Sequence, residues 1–345
     1  MRDVTYVVLL NWRGWSDTIA CLESVFAGGG APLRVIVCDN ASGDGSLEKI
    51  SAWASGELEV ESVEQARLAR LLGRAPRPLR QRRITKEQAE SGDVVFDGDL
   101  MLVDNGANLG FAAGNNVGLR LALSQNDMGN VWLLNNDTMV EPDCLLRMRD
   151  RLAAAPGLAV CGSVIHFFDR PEIVQALGGN RFNHFTGVAH RSEGRFVHEK
   201  DITAQDAQGA SLAYLSGCSM LLPRRFLEDV GLMGEQYFLY YEEIDWFTRA
   251  NGRFELLVEP AARIYHREGS SIGSPGWQRS ASAFADYHLY RSRLRFMRCH
   301  YRRYLPVAYL AAWLDVGKCL LRRQFANARA VVRVLLGLPQ PGAPA

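Results

Sequence analysis

Asp137, His266 and the pair Glu242-Glu243 are the residues of this chain best suited to chemistry. Asp137 follows Val131-Trp132-Leu133-Leu134-Asn135-Asn136, where an apolar run passes directly into a polar turn. That pattern reads as a strand buried on both faces, with the acid just beyond its carboxyl end, where open α/β sheets bind ligands. His266 ends a second such passage, from Leu256-Leu257-Val258 through Ala261 to Tyr265. A carboxylate and an imidazole together hold a divalent cation, and suit Mn²⁺ at least as well as the oxygen-preferring Mg²⁺. The glutamates belong to Phe238-Leu239-Tyr240-Tyr241-Glu242-Glu243-Ile244-Asp245-Trp246-Phe247, three carboxylates amid five aromatic residues. Aromatic surroundings raise a carboxylate's pKa and prime it as a general base. Each feature also has a plain structural reading: a strand-end Asp serves as a turn or cap residue as often as a ligand, and acids at a helix start are ordinary dipole partners.

Elements that would position these residues follow in order along the chain. Thr5 to Leu10 reads as a first strand, followed by the turn Asn11-Trp12-Arg13-Gly14-Trp15 and a helix capped by Ser16 or Asp17. A second strand, Leu33 to Cys38, runs into Asp39-Asn40-Ala41-Ser42-Gly43-Asp44-Gly45-Ser46, in which Asp39 is the better candidate for a ligand contact. Residues 55–98 lose the pattern and read as a surface insertion. Its Asp97-Gly98-Asp99 looks like a metal-binding D-x-D but precedes the strand Leu100 to Val103, at the wrong end of a sheet. The loop Asn105-Gly106-Ala107-Asn108-Leu109-Gly110-Phe111-Ala112-Ala113-Gly114-Asn115-Asn116 opens a helix and lacks both dinucleotide and P-loop spacing; it either lets backbone approach a nucleotide or makes a tight turn. Alternating strands and helices of this kind predict a mostly parallel sheet with a βαβ start.

Composition bounds the rest. The chain has 345 residues, 48% hydrophobic and 22% charged, enough for a real core and against wholesale disorder. Seven scattered cysteines without a C-x-x-C pair argue against a disulfide framework or a zinc site and read as reduced, mostly core thiols. The first apolar run is too short for a signal peptide, which makes the cytoplasm the expected location. The net charge of +1 hides an asymmetry: twelve basic and two acidic residues from Arg279 onward give +10, leaving −9 for residues 1–278. Apolar residues interleaved with the tail arginines favour anionic lipid over nucleic acid as its partner.

If the strand-end Asp, the strand-end His and the glutamates share a pocket, they suit one reaction. Asp137 and His266 would hold a cation that neutralises a departing nucleoside diphosphate, while Glu243 takes the proton from an acceptor hydroxyl attacking the sugar from the opposite face. Asn11-Trp12, Asp39 to Ser46, Asn108 to Asn116, Leu133 to Asp137, Tyr240 to Asp245 and His266 together resemble the family 2 inverting glycosyltransferases of GT-A fold, particularly their rhamnosyltransferase-like members, over residues 4–275. The resemblance implies a Rossmann-like mixed sheet flanked by helices with a C-terminal helical extension, and a divalent cation (Mn²⁺ or Mg²⁺) with a nucleoside-diphosphate sugar as donor. It implies a nucleotide-sugar site built from Asn11, Asp39, Asn40, Gly110, Asn115, Asn116, Asn135, Asn136 and Asp137. Asp39 would contact the base, Asn115 and Asn116 would line the nucleotide pocket, Asn135 to Asp137 would replace the D-x-D, and Glu243 would be the catalytic base with Glu242 as its rival. Two departures stand out: Asn135 occupies the place of the first acid, and Glu243 that of the more usual Asp.

The expected organisation is a nucleotide-sugar subdomain over 1–145 with its insertion at 55–98, an acceptor and catalytic-base subdomain over 146–278, and a basic amphipathic helical tail over 279–345. Leu305 to Leu314 is about half the ~20 residues a membrane-spanning helix needs and is followed by Asp315, so the tail reads as an interfacial helix pair rather than a span. Packing of these helices on the catalytic domain, with arginines facing water, is the competing expectation. A glycan or lipid-linked acceptor in surface polysaccharide synthesis at the inner face of the cytoplasmic membrane would follow from the interfacial reading. A sugar-phosphate nucleotidyltransferase would need a Gly-rich, Arg-bearing loop after the first strand, which Asn11-Trp12-Arg13-Gly14 is not; a silent nucleotide-sugar-binding or scaffold protein draws its support from Asn135.

Overall fold

The computed structural model describes residues 3–60, 73–191, 197–199, 212–267 and 281–340. Strand β1 (Val4–Asn11), helix α1 (Trp15–Ala27), strand β2 (Leu33–Asp39) and helix α2 (Ser46–Ala54) form the βαβ start that the sequence predicts. Then come β3 (Gln81–Thr85), α3 (Lys86–Glu90), β4 (Leu100–Asp104), α4 (Gly110–Ser124), β5 (Met128–Leu134), β6 (Thr138–Val140) and α5 (Cys144–Ala153). The second half contains β7 (Ala159–Phe167), β8 (Ile173–Leu177), β9 (Gly179–Asn183), β10 (Val188–Arg191), β11 (Val197–His198), β12 (Tyr214–Leu215), β13 (Ser219–Pro223), α6 (Arg224–Val230), α7 (Glu242–Ala250) and β14 (Glu255–His266). Helices α8 (Ala283–His300), α9 (Leu305–Leu321) and α10 (Phe325–Leu335) complete it.

One large sheet runs in the order β11-β8-β7-β13-β5-β1-β2-β4-β3, with β14 paired to β7 and β6. Strands β3, β4, β2, β1 and β5 are parallel, whereas β13 enters antiparallel between β5 and β7. Register brings the carboxyl ends into line: Asn11 stands opposite Asp39, and Asp39 opposite Asp104. Every residue of β7 is buried, Ser163 and His166 included, as its largely apolar sequence between two neighbouring strands leads one to expect. Helix α4 lies close on β1 and β2 because Gly118 faces them; a Cβ there would come within 2.8 Å of Val8 and 3.0 Å of the Cys38 sulfur. A second, three-stranded sheet, β10-β9-β12, stands beside α7 and α8.

Three expectations need correction. The insertion at 55–98 is not merely a surface excursion, because its Gln81–Thr85 adds an edge strand to the main sheet and Lys86–Glu90 a helix with a Thr85 capping box; its residues 61–72 lie outside the described chain. Asp99 within it sits before β4 and accepts from the Arg80 backbone N–H, so the D-x-D look-alike is indeed at the far edge. Helix α1 is not capped by Ser16 or Asp17: Gly14 is its N-cap, and Asp17 lies inside the helix, where it pairs with Arg267. In the tail, the apolar helix is longer than the stretch Leu305 to Leu314. Arg302–Leu321 is continuous over 20 residues with mean hydropathy 1.2, long and apolar enough by composition to cross a membrane. Asp315 does not interrupt it because its carboxylate accepts from Tyr290 and pairs with Lys318 along the helix side.

Candidate active site

The carboxyl ends of β1 and β2 carry a closed hydrogen-bond network. Asn11 Nδ2 donates to Asp39 Oδ1 at 2.6 Å and to Ser42 Oγ at 3.1 Å, while Asn11 Oδ1 accepts from Thr18 at 2.8 Å. Asp39 also accepts from the Ser42 hydroxyl and backbone N–H, an Asx turn that fixes the loop. Asn136 joins from the β5 to β6 turn, donating to Thr18 at 2.9 Å and to Asn11 at 3.4 Å. Arg13 and Ala41, both at positive φ, bracket this network, and the Arg13 N–H donates to Ser42 Oγ. Non-glycine residues in that region cost energy that the surrounding bonds must overcome, and such strain gathers at sites. Asn11, Asp39 and Asn136 thus lie in one network, with Ser42 and Thr18 as additional members that the sequence reading missed.

Asn40, Gly110, Asn115 and Asn116 have a different place. Asn40 donates to the Gly110 carbonyl at 3.0 Å and accepts from Asn105, locking the β2 loop to the start of α4. Asn115 donates one turn back to the Phe111 carbonyl, and Asn116 holds the segment after α6 through Met233 and Glu235. All three asparagines are buried, with these donors committed to protein acceptors. They form the framework under the site.

The metal candidates meet directly. Thr138 and His266 are register partners of β6 and β14, which sets His266 Nε2 3.2 Å from Asp137 Oδ1. His266 Nδ1 lies 3.0 Å from Gln175 Oε1, an acceptor-only atom, so the proton on that nitrogen is fixed and Nε2 is the atom turned to Asp137. Burial pushes the His266 pKa down, but the neighbouring Cys218 and Asp137 outweigh it and hold the ring well above its ordinary range. The donor chemistry fits a divalent ion of the Mn²⁺ kind, with Nε2 giving up its proton on binding. Among the described residues no three His, Cys, Asp or Glu side chains cluster into a complete site, so diphosphate and water oxygens would fill the remaining positions. Asn135 is bonded through its backbone, its N–H to the Cys218 carbonyl and its carbonyl to the Thr138 hydroxyl. Arg267 follows His266, stacks on Phe168 and pairs with Asp17, anchoring the end of β14.

Helix α7 delivers the glutamates from a strained start, since Tyr240 and Tyr241 both have positive φ. Glu242 is 3% exposed, and its Oε2 has no hydrogen-bond partner. Burial first, and the adjacent Glu243 second, push its carboxyl well above the usual range. Glu243 lies against Gly217, where a Cβ would fall 2.0 Å from Glu243 Oε1. Burial raises its pKa too, opposed by its own N–H and that of Gly217. Asp245, the third acid, is structural. It takes Arg249 and His300 at 2.7 Å each and the Tyr237 hydroxyl at 3.2 Å, and the bonds from His300 and Arg249 hold it low against the burial that would raise it.

One dipeptide unites the two halves of the site. Gly217 touches Glu243, and Cys218, next in the chain, sits beside His266. Cys218 was expected as an ordinary core thiol; it is buried, but at the wall between cation pair and glutamates.

No family model matches the chain. The low-salt glycan biosynthesis hexosyltransferase Agl10 of Haloferax volcanii is 24% identical over 154 residues, which cover 44% of this chain and 46% of that protein, so the match spans about half the relative's length. The mannosyltransferase PcManGT from Pyrobaculum calidifontis, solved with GDP-Man and Mn²⁺, superposes with TM-score 0.51 at 13% identity over 97% of this chain and 87% of its own. GalNAc-T7, solved with UDP, GalNAc and Mn²⁺, superposes with TM-score 0.54 at 14% identity over 92% of this chain and 51% of its own. At these identities the likeness is one of architecture, and it agrees with the sheet order and the C-terminal helices: the chain has a GT-A fold with a C-terminal helical extension.

Proposed function

We propose that this chain is a metal-dependent inverting glycosyltransferase that moves a sugar from a nucleoside-diphosphate donor to a hydroxyl of a glycan or lipid-linked acceptor. The observation that carries this reading is the Gly217-Cys218 step, which sets a glutamate beside a carboxylate-imidazole pair. The hexosyltransferase relative and the Mn²⁺-bearing, nucleotide-bearing neighbours support it. Asp137 and His266 would hold the cation, whose chemistry there would be charge neutralisation at the departing diphosphate. Asn11, Asp39 and Asn136 order the donor side, where the acid and amides of the β1 and β2 loops are already fixed. Glu243 accepts the acceptor's hydroxyl proton as the new bond forms at the anomeric carbon; the bond to the diphosphate oxygen breaks, and its electron pair leaves with the nucleotide. Gly217 N–H orients the carboxylate, and Glu242, whose carboxyl burial holds well above its usual range, lies next to it in the helix. Rhamnose is the donor sugar that the sequence resemblance points to, and surface polysaccharide synthesis at the inner membrane face its setting. Thermal shift against a panel of nucleotide sugars with and without Mn²⁺, followed by a transfer assay on the stabilising donor, tests the reading. Metal-enhanced stabilisation and Glu243-dependent transfer are expected; binding without turnover would identify a nucleotide-sugar sensor instead.

A further inference from the structure

Helix α9 is turned the wrong way round for a helix in water. Its packed face is made of the small residues Ala308, Ala312 and Val316; Ala308 joins the main core, and Ala312 and Val316 meet Ala328 and Val331 of α10. Its outer face carries Val307, Leu310, Trp313, Leu314 and Leu321, with Leu310 61%, Leu314 60% and Leu321 88% exposed. A surface helix normally points polar residues outward, and contiguous exposed apolar surface marks an interaction site. Phe325, 65% exposed at the start of α10, continues the patch at one end. At the other, Tyr304 precedes α9 and its ring packs 4.8 Å from Phe185, half exposed at the β9 to β10 turn.

Charge selects the partner. From residue 301 to the end the sequence has seven basic residues and one acid, Asp315. That acid accepts from Tyr290 and Lys318, at the side of α9. Arg302 and Arg303 are exposed at one end of the apolar face, and Lys318, Arg322 and Arg323 at the other. An apolar strip bracketed by cations is complementary to an anionic bilayer surface. Although Arg302–Leu321 is long enough to span, its inner face is already committed to α10, which carries Arg329 and Arg333. Burying that pair in hydrocarbon would bury guanidinium groups as well.

We propose that the outer face of α9 and α10, continued by Phe185, is a docking surface on which the chain lies on an anionic bilayer without crossing it. The same face sets the site's distance from the lipid. Just beyond Phe185, the Thr186 carbonyl accepts from Arg293 of α8, and the Gly187 carbonyl accepts from Tyr241, the residue before Glu242. The hairpin that touches the bilayer therefore also abuts the start of the glutamate helix, and the acceptor is one whose hydroxyl is held near the headgroups. That last step rests on the glycosyltransferase reading; the docking does not.

Flotation of the full chain with vesicles of phosphatidylcholine, alone or mixed with phosphatidylglycerol, tests it. Binding is expected to the mixed vesicles, with release by alkaline extraction. Leu310→Gln with Leu314→Gln should lower binding at least about tenfold, since two exposed leucines lose their apolar transfer, and Arg302→Gln with Arg303→Gln roughly fivefold per arginine at low salt. Both pairs lie on the surface, so unchanged circular dichroism and melting temperature serve as the folding control. Absence from both vesicle types, resistance to extraction, or a dimer that the leucine variant dissolves would each overturn the proposal, the last by making a second copy the occupant. Donor hydrolysis without vesicles separates the two readings: its loss in a chain that still floats sinks the catalytic assignment and leaves the docking surface standing.

Discussion

Glu243 and Glu242 are adjacent in sequence yet set up for different work. Glu243 contacts Gly217 at the wall shared with the cation pair, whereas Glu242 points an unpartnered oxygen into the core. Glu243→Gln should reduce kcat by about 100-fold or more, with donor affinity by thermal shift unchanged. Because its pKa is raised, the proton-accepting form accumulates late, so wild-type kcat should climb with pH through that pKa and then level off. A rate independent of pH from 5 to 9 would remove it from the role. Glu242 makes a separable prediction through stability. Its folded pKa lies above the unfolded one, so between the two the native state holds a proton that the unfolded state has released. Stability from this group is full at acid pH and is lost as pH rises. Glu242→Gln should flatten that decline and raise stability at pH 8 by roughly 1–3 kcal/mol, the usual penalty of an unpaired buried polar group, with little gain at pH 4. Equal melting temperatures for variant and wild type at both pH values would show the carboxyl to be solvated after all. At the cation pair, His266→Gln keeps a donor of similar reach but loses the imidazole nitrogen, and should weaken Mn²⁺-dependent stabilisation by donor at least tenfold.

At the scale of elements, α7 is held in place from the C-terminal extension: His300, at the end of α8, bonds Asp245 on α7, and Ser292 of α8 donates to the Leu239 carbonyl just before it. His300→Ala should cost on the order of 1–3 kcal/mol in urea unfolding, because it removes one of the partners of a buried carboxylate and leaves Arg249 and Tyr237 to carry it. No loss would mean that α8 merely lies on the domain. This arrangement also marks what could be read before the fold was known. Parallel strands and their polar carboxyl ends, where Asp137 and His266 stand, follow from alternating patterns and local turn chemistry, which are properties of short windows of sequence. Legibility failed where partners are distant. Nothing near Gly217 announces that Glu243 will press against it from 26 positions on, and Gln175, which fixes the His266 tautomer, lies in a stretch with weak patterning. The family resemblance puts Asn115 and Asn116 along the nucleotide pocket, whereas their buried side-chain amides bond the carbonyls of Phe111 and Met233. The edge strand Gln81–Thr85 was hidden by its own composition, with one buried residue, Ile84, among exposed arginines.

For the whole molecule, the division into donor and acceptor subdomains near residue 145 meets a sheet that does not divide there. Strand β13 pairs with β5 on one side and β7 on the other, and β14 pairs with both β6 and β7. Backbone hydrogen bonds and apolar packing thus run across the boundary: the first hydrophobic cluster joins Tyr6 and Ile36 to Tyr241 and Phe296, and the second joins Val7 and Leu22 to Leu257 and Ile264. Neither half could expose its side of the sheet without uncovering strand edges and core of the other. Unfolding should therefore be one cooperative event for the sheet and α8. Its probes are at hand, since Trp53 and Trp132 are buried in the first half and Trp246 in the second. Replacing Trp246, Trp277 and Trp313 by Phe leaves tryptophan only in the first half, and the urea midpoint read that way should coincide with the midpoint of the same variant from far-UV circular dichroism. Separated midpoints would mean that the subdomains are autonomous and that the Gly217-Cys218 contact between base and cation pair is made and broken as they move.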